Sequence, residues 1–191
     1  MVDRPGPPAD FEELWRLWRP RAAAYLRSFA GLSDEDREEA ANEAVLKAWR
    51  ARGVFDARRD FAPWFLAIAR RTALDALRRG RAATRGRAVA NVRARHLPEG
   101  TDPVAAIPSA AAGAEELAMR DADRDFVRRF LAKAEPETRE LASLVYGQGL
   151  RLKSAAAVLG MPEGTAKWRL SELRKALMAA WEVEYGEARV S

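Results

Sequence analysis

Apolar residues return at helical spacing in two blocks of this 191-residue chain, separated by a stretch with little bulky apolar content. In the first block Phe11, Leu14, Trp15, Leu17, Trp18, Tyr25, Leu26 and Phe29 predict one helix over Phe11 to Ala30, or two helices broken near Pro20, with Gly31 closing the segment. Trp15 and Trp18, three apart, read as core. Ala40, Ala41, Ala44, Val45, Ala48 and Trp49 make a narrow apolar stripe on a second helix. Its start is marked by Ser33 and Asp36 at capping-box spacing and by an acidic first turn. Gly53 to Pro63 reads as a connector, with Pro63 in the first turn of a third helix, Trp64 to Arg79. That helix buries Phe65, Ile68, Ala69, Thr72, Ala73, Ala76 and Leu77.

Gly80 to Arg120 opens basic and unpatterned and continues with Pro98, Gly100, Pro103, Pro108 and alanines; it reads as a flexible linker. Helical spacing resumes with Phe126, Val127, Phe130 and Leu131, then with Leu141, Leu144, Val145 and Tyr146 behind Pro136. After Gly147-Gln148-Gly149 come a short helix, a turn at Gly160 and a longer helix, which together predict a helix-turn-helix. Leu152, Val158, Leu159, Ala166, Leu170, Leu173 and Leu177 hold this unit together, with Ala156 and Gly160 small where its helices cross. The expected fold is all-α: a tail over 1–10, a helical domain over 11–80, a flexible linker over 81–120, a helix-turn-helix domain over 121–185 and a tail over 186–191.

Composition narrows the picture. The chain is 48% hydrophobic and 32% charged, but much of the hydrophobic share is alanine, so each core is modest. There is no cysteine, which excludes disulfides and thiolate-bound zinc within this chain. No apolar run approaches a membrane span, and Met1 to Pro8 has no apolar signal core; a cytoplasmic protein is expected. His96 is the one histidine, and no nucleophile–histidine set, carboxylate pair or phosphate-binding glycine loop is evident. No enzyme activity, cofactor or metal is expected.

Charge is segregated. Asp34, Glu35, Asp36, Glu38, Glu39 and Glu43 fall within ten residues, whereas Lys47 to Arg95 carries 14 basic residues against 3 acidic ones, in a chain of net charge +5. Such segregation provides the electrostatic footprint that nucleic acid requires. Phe55, Phe61 and Trp64 accompany Arg58, Arg59, Arg70 and Arg71, which suits unpaired bases, since rings stack on any base face and arginines hold phosphates. In the helix-turn-helix, Glu163, Lys167, Trp168, Ser171 and Glu172 would face DNA from the second helix, with Arg169, Arg174 and Lys175 directed at phosphate.

Glu38 to Trp49, Phe55-Asp56 and Phe61 to Arg70 resemble region two of the extracytoplasmic-function (ECF) sigma factors, with matching order and spacing from Phe11 to Arg79. Leu150 to Leu177 resembles their region four, which reads the −35 element. The resemblance implies a subunit that gives core RNA polymerase its promoter specificity. Core polymerase, promoter DNA and an anti-sigma factor are the expected partners. Glu38, Glu39, Asn42, Glu43 and Leu46 would dock on the polymerase clamp. Phe55, Arg58, Arg59, Phe61, Trp64, Arg70 and Arg71 would open and hold the −10 strand. Thr165, Lys167, Trp168, Arg169, Ser171, Glu172, Arg174 and Lys175 would meet −35 DNA. The resemblance also implies that the linker threads the polymerase, with Arg81, Arg85, Arg87, Arg93 and Arg95 along it. Ala155, Glu172 and Arg71 depart from the usual residues and leave the promoter sequence open. Two other readings are a sigma-like module that sequesters an anti-sigma factor and a helix-turn-helix transcriptional regulator.

Overall fold

A computed structural model describes the backbone of residues 8–87 and 114–186 and the side chains of 8–80 and 121–186. The expected tail over 1–7, the linker between 88 and 113 with Arg93, Arg95 and His96, the side chains of Arg81, Arg85 and Arg87, and the tail over 187–191 lie outside these. The chain is all-α and divides into two compact units, Met1–Thr101 and Asp102–Ser191.

The first unit contains α1 (Phe11–Leu26), α2 (Asp34–Ala51) and α3 (Phe61–Arg87). Asp10 caps α1, its Oδ1 accepting from the Glu13 amide at 2.8 Å. Leu14, Trp18, Ala22, Tyr25 and Leu26 are buried at helical spacing, and α1 runs through Pro20 without a break. Pro20 and Arg16 are both exposed, so the Arg16 carbonyl left without an amide partner meets water. Trp15 is not core: it lies at the surface, with the Arg19 guanidinium 5.9 Å from its ring. The capping box of α2 is present, Ser33 Oγ accepting from the Asp36 amide at 3.0 Å. The buried stripe of α2 is Ala40, Ala41, Ala44, Val45 and Ala48; Trp49 is half-buried against Phe11.

Helix α3 begins earlier and ends later than its pattern predicts. It takes in Phe61 and Pro63 at one end and continues through Gly80 to Arg87 at the other. Pro63 is third in the helix, where its amide would have had no intrahelical partner anyway. Phe61 is buried on Trp18, with ring centroids 4.8 Å apart, and this contact draws the helix start forward.

The second unit contains α4 (Ala114–Lys133), α5 (Pro136–Ala142), α6 (Leu152–Leu159) and α7 (Glu163–Tyr185). Helix α4 therefore starts inside the segment expected to be linker. Arg139 of α5 reaches back to the end of α4. Its Nε donates to the Leu131 carbonyl at 3.0 Å, and its Nη2 donates to the carbonyls of Ala132 and Ala134 at 3.1 and 2.8 Å. The Leu131 carbonyl also accepts from the Ala134 amide at 3.0 Å, whereas those of Ala132 and Ala134 lie at or beyond the helix end, where carbonyls lack intrahelical partners; burial lowers the pKa of the guanidinium. Beyond α5 the backbone widens into a π-turn over Ser143–Gly147. The helix-turn-helix is α6, the turn and α7. Its core is Ala155, Ala156, Val158, Ala166 and Leu170, while Leu152, Leu159, Leu173 and Leu177 are half-buried. An aromatic contact absent from the sequence pattern joins α4 to the end of α7: Phe126 lies 5.1 Å from Trp181 and 5.6 Å from Tyr185.

Gly160 ends α6 at φ 70°, and a Cβ there would meet nothing within 4 Å. The glycine serves the left-handed turn and not a close helix crossing. Gly160→Ala should therefore cost about 1 kcal/mol in urea unfolding, and Gly160→Asn less, since only backbone strain is added. A loss above about 3 kcal/mol would show a clash instead.

Candidate functional site

The acidic residues of α2 lie off its buried stripe, and several are held by neighbours. Arg19 of α1 donates through Nε to Asn42 Oδ1 at 2.9 Å and pairs with Glu38. Glu43 pairs with Lys47 at 3.0 Å and with Arg79 of α3 at 3.6 Å, and Lys47 donates to Thr72 Oγ1 at 3.3 Å. Glu39 has no such partner among the described residues, and Leu46 is exposed. The polar face of α2 thus forms part of the α1–α2 and α2–α3 seams. Of the five residues expected to meet the clamp, only Glu39 and Leu46 stand clear of the internal bonds described.

The connector hangs from an aromatic cluster. Arg52–Val54 forms a single 3₁₀ turn, with the Arg52 guanidinium 3.8 Å from the Trp49 ring. The Phe55 centroid lies 5.2 Å from Phe61 and 5.0 Å from Trp64. Phe61, expected to meet the −10 strand, is buried here as a core residue and stacks on Phe65. Phe55 and Trp64 are half-buried above it. Asp56 accepts from the Arg58 amide at 3.0 Å, and the Asp56 carbonyl accepts from the Arg59 amide at 2.9 Å. This turn sends both arginine side chains outward, 95% and 82% exposed, with only long ion pairs to Asp56 at 3.9 and 3.7 Å. Arg71 is exposed on α3 and Arg70 is half-buried.

On α7 the residues expected to meet DNA do not share one face. Lys167, Ser171 and Arg174 are three or four apart on one flank, Thr165, Arg169 and Glu172 on the other, with Trp168 and Lys175 between them. Thr165, Lys167, Trp168 and Arg174 are exposed, Trp168 at 63%, and Lys175 pairs with Glu172 at 2.8 Å. Arg169 is turned inward. It pairs with Glu135 and, at 3.1 Å, with Glu137, and donates to Thr138 Oγ1 at 3.2 Å. Expected to meet phosphate, it here bridges α7 to the start of α5. The pairing spans more than 30 residues of chain, so no local pattern announced it.

Among the described residues, no group of three or more His, Asp or Glu is placed to hold a metal, and no helix is long and apolar enough to cross a membrane.

The family model for sigma-70 region 2 matches residues 14–83. Over 168 residues the chain is 32% identical to a probable RNA polymerase sigma-C factor of Mycobacterium bovis, covering 88% of this chain and 77% of that one. The ECF RNA polymerase sigma factor SigC of Mycobacterium tuberculosis matches to the same extent. The chain belongs to the ECF sigma factors. Two solved structures share the fold of this sigma factor. One is the sigma factor RpoE of Bartonella quintana in complex with the anti-sigma factor NepR, with TM-score 0.64, 24% identity, and 92% and 99% of the two chains covered. The other is CnrH in complex with the cytosolic domain of CnrY, with TM-score 0.57, 22% identity, and 91% and 88% covered.

The bonds of Arg19 separate two substitutions on α2 of this sigma factor. Asn42→Ala should lower stability by about 1 kcal/mol, because Arg19 Nε loses its acceptor while Nη2 keeps Glu38, and Glu39→Lys should stay within about 0.5 kcal/mol of wild type. Urea midpoints of the full chain provide the comparison; equal midpoints would show that the Arg19–Asn42 bond contributes nothing in solution.

Proposed function

We propose that this ECF sigma factor binds core RNA polymerase, directs it to promoters through −10 and −35 elements and starts transcription there, in the cytoplasm and without catalysing a reaction of its own. The observation that carries this reading is the connector, which displays two outward arginines within a few residues of the half-buried Phe55 ring that packs on Trp64. A solvated structural loop has no need to display paired cations beside rings, whereas a flipped, single-stranded segment is held by stacking and phosphate contacts.

In this reading the α2 face around Glu39 and Leu46, with Glu38, Asn42 and Glu43 behind them, docks on the polymerase clamp. Phe55 and Trp64 take −10 bases, and Arg58, Arg59, Arg70 and Arg71 hold the strand. Lys167, Trp168, Ser171 and Arg174, with Thr165, Glu172 and Lys175 at the sides, meet the −35 duplex from α7. Lys167 and Arg174 supply phosphate contacts, and Glu172 can accept from a cytosine amino group. An anti-sigma factor is a further proposed partner, supported by the fold shared with RpoE, which was solved with one.

Separating base pairs costs free energy that captured bases must return, at roughly 1 to 3 kcal/mol for each stacked base. Arg58→Ala, Arg59→Ala and Arg71→Ala should therefore retain core polymerase binding but lower permanganate reactivity of −10 thymines. A pre-melted template should restore part of it. Full reactivity in all three variants would contradict strand capture by this loop.

A further inference from the structure

We infer that Arg169 is a positioning residue, which fixes the angle of the reading helix by clasping the first turn of α5 and does not bind DNA phosphate. The inference rests on the proposal that α7 reads −35 DNA.

Three observations support it. The Arg169 side chain is only 18% exposed, whereas Lys167, Arg174 and Lys175 on the same helix are exposed. Its two terminal nitrogens are divided: Nη1 engages Glu135 and Thr138, and Nη2 engages Glu137. A planar guanidinium can hold two carboxylates and a hydroxyl at fixed angles, which a lysine ammonium on a flexible stem cannot. The acceptors are themselves placed. Glu135 precedes Pro136 as the cap residue of α5, Glu137 lies in its first turn, and Thr138 is buried. Acidic groups are favoured at that helix end, so α5 presents a ready anchor.

The flank of α7 that bears Arg169 faces the unit's own helices. Together with the end of α4 and the start of α5 it bounds a groove of about 360 Å³, lined among others by Phe130, Lys133, Trp168 and Glu172. Lys167, Ser171 and Arg174 occupy the other flank. The two flanks therefore separate tasks. One cation is used to hold the helix, and others are left for phosphate.

The sign of one double substitution separates the two roles. Glu135→Gln with Glu137→Gln alters two exposed carboxylates and leaves Arg169 in place. If Arg169 positions α7, the variant binds duplex DNA more weakly; if Arg169 binds phosphate, removing its competitors tightens binding. The probe is a duplex selected by the wild-type full chain from a random pool, titrated over a range of salt. The expected results are a loss of about tenfold for the double glutamine variant and for Arg169→Met, each with the wild-type salt slope. Arg169→Lys should not rescue. Lys167→Ala should lower the slope by about one unit. Tighter or unchanged binding by the double glutamine variant, a slope lowered in Arg169→Met, or rescue by lysine would each overturn the inference. Failure of the wild type to select any duplex would instead contradict −35 reading. In that case the clasp is read from urea midpoints: the shifts of Arg169→Met and the double glutamine variant should be non-additive, and additive shifts would overturn it.

Discussion

The burial of Trp18 is the contact on which the first unit depends. Its indole is wholly enclosed, 4.8 Å from the Phe61 ring and 5.2 Å from that of Phe65. The middle helix offers little besides alanine, and each methyl group contributes about 0.8 kcal/mol. An indole that buries on the order of 200 Å² contributes roughly 5 kcal/mol as an upper bound. The alanine face lets α1 and α3 approach, and the aromatic residues decide where α3 begins. Because Phe55 and Trp64 pack on Phe61, the same cluster sets where the connector emerges and which way Arg58 and Arg59 point.

Cations in the chain divide by burial. Arg139 and Arg169 each gather several oxygens and join elements of the second unit, while Arg19 joins α1 to α2 in the first. Arg58, Arg59, Arg71, Lys167 and Arg174 extend into solvent. A guanidinium deprived of water must recover its hydration through several acceptors, so the inward ones have defined partners and little remaining capacity for DNA. Exposed cations remain available to neutralise phosphates, which releases the counterions condensed on nucleic acid and so favours binding.

Much of this was legible in the sequence. The capping box at Ser33, the alanine stripe of α2, the turn at Gly160 and the succession of helices follow from local chemistry and period. The bounds of α3 did not, because Phe61 enters the helix through a contact with Trp18, more than 40 positions earlier. The end of α3 carries no apolar period, so the pattern gave no sign that the helix runs on to Arg87. Trp15 and Trp18 share a spacing, but only one meets α3. Within the candidate surfaces, residue type identified the arginines of the connector, whereas the roles of Arg169, Asn42 and Phe61 depend on partners distant in sequence. The contact of Trp181 and Tyr185 with Phe126 is not legible locally, because it joins α7 to a helix more than 50 positions earlier and Met178 and Val183 beside them are exposed.

Under the proposed function, this chain gives core RNA polymerase the ability to choose and open promoters. Run-off transcription with core polymerase on a library of randomised promoters tests it directly. Transcripts should depend on added chain and come from templates sharing two short elements, one of them at −10 and melted. Transcription that is independent of the chain, or that comes from templates without a shared element, would contradict it.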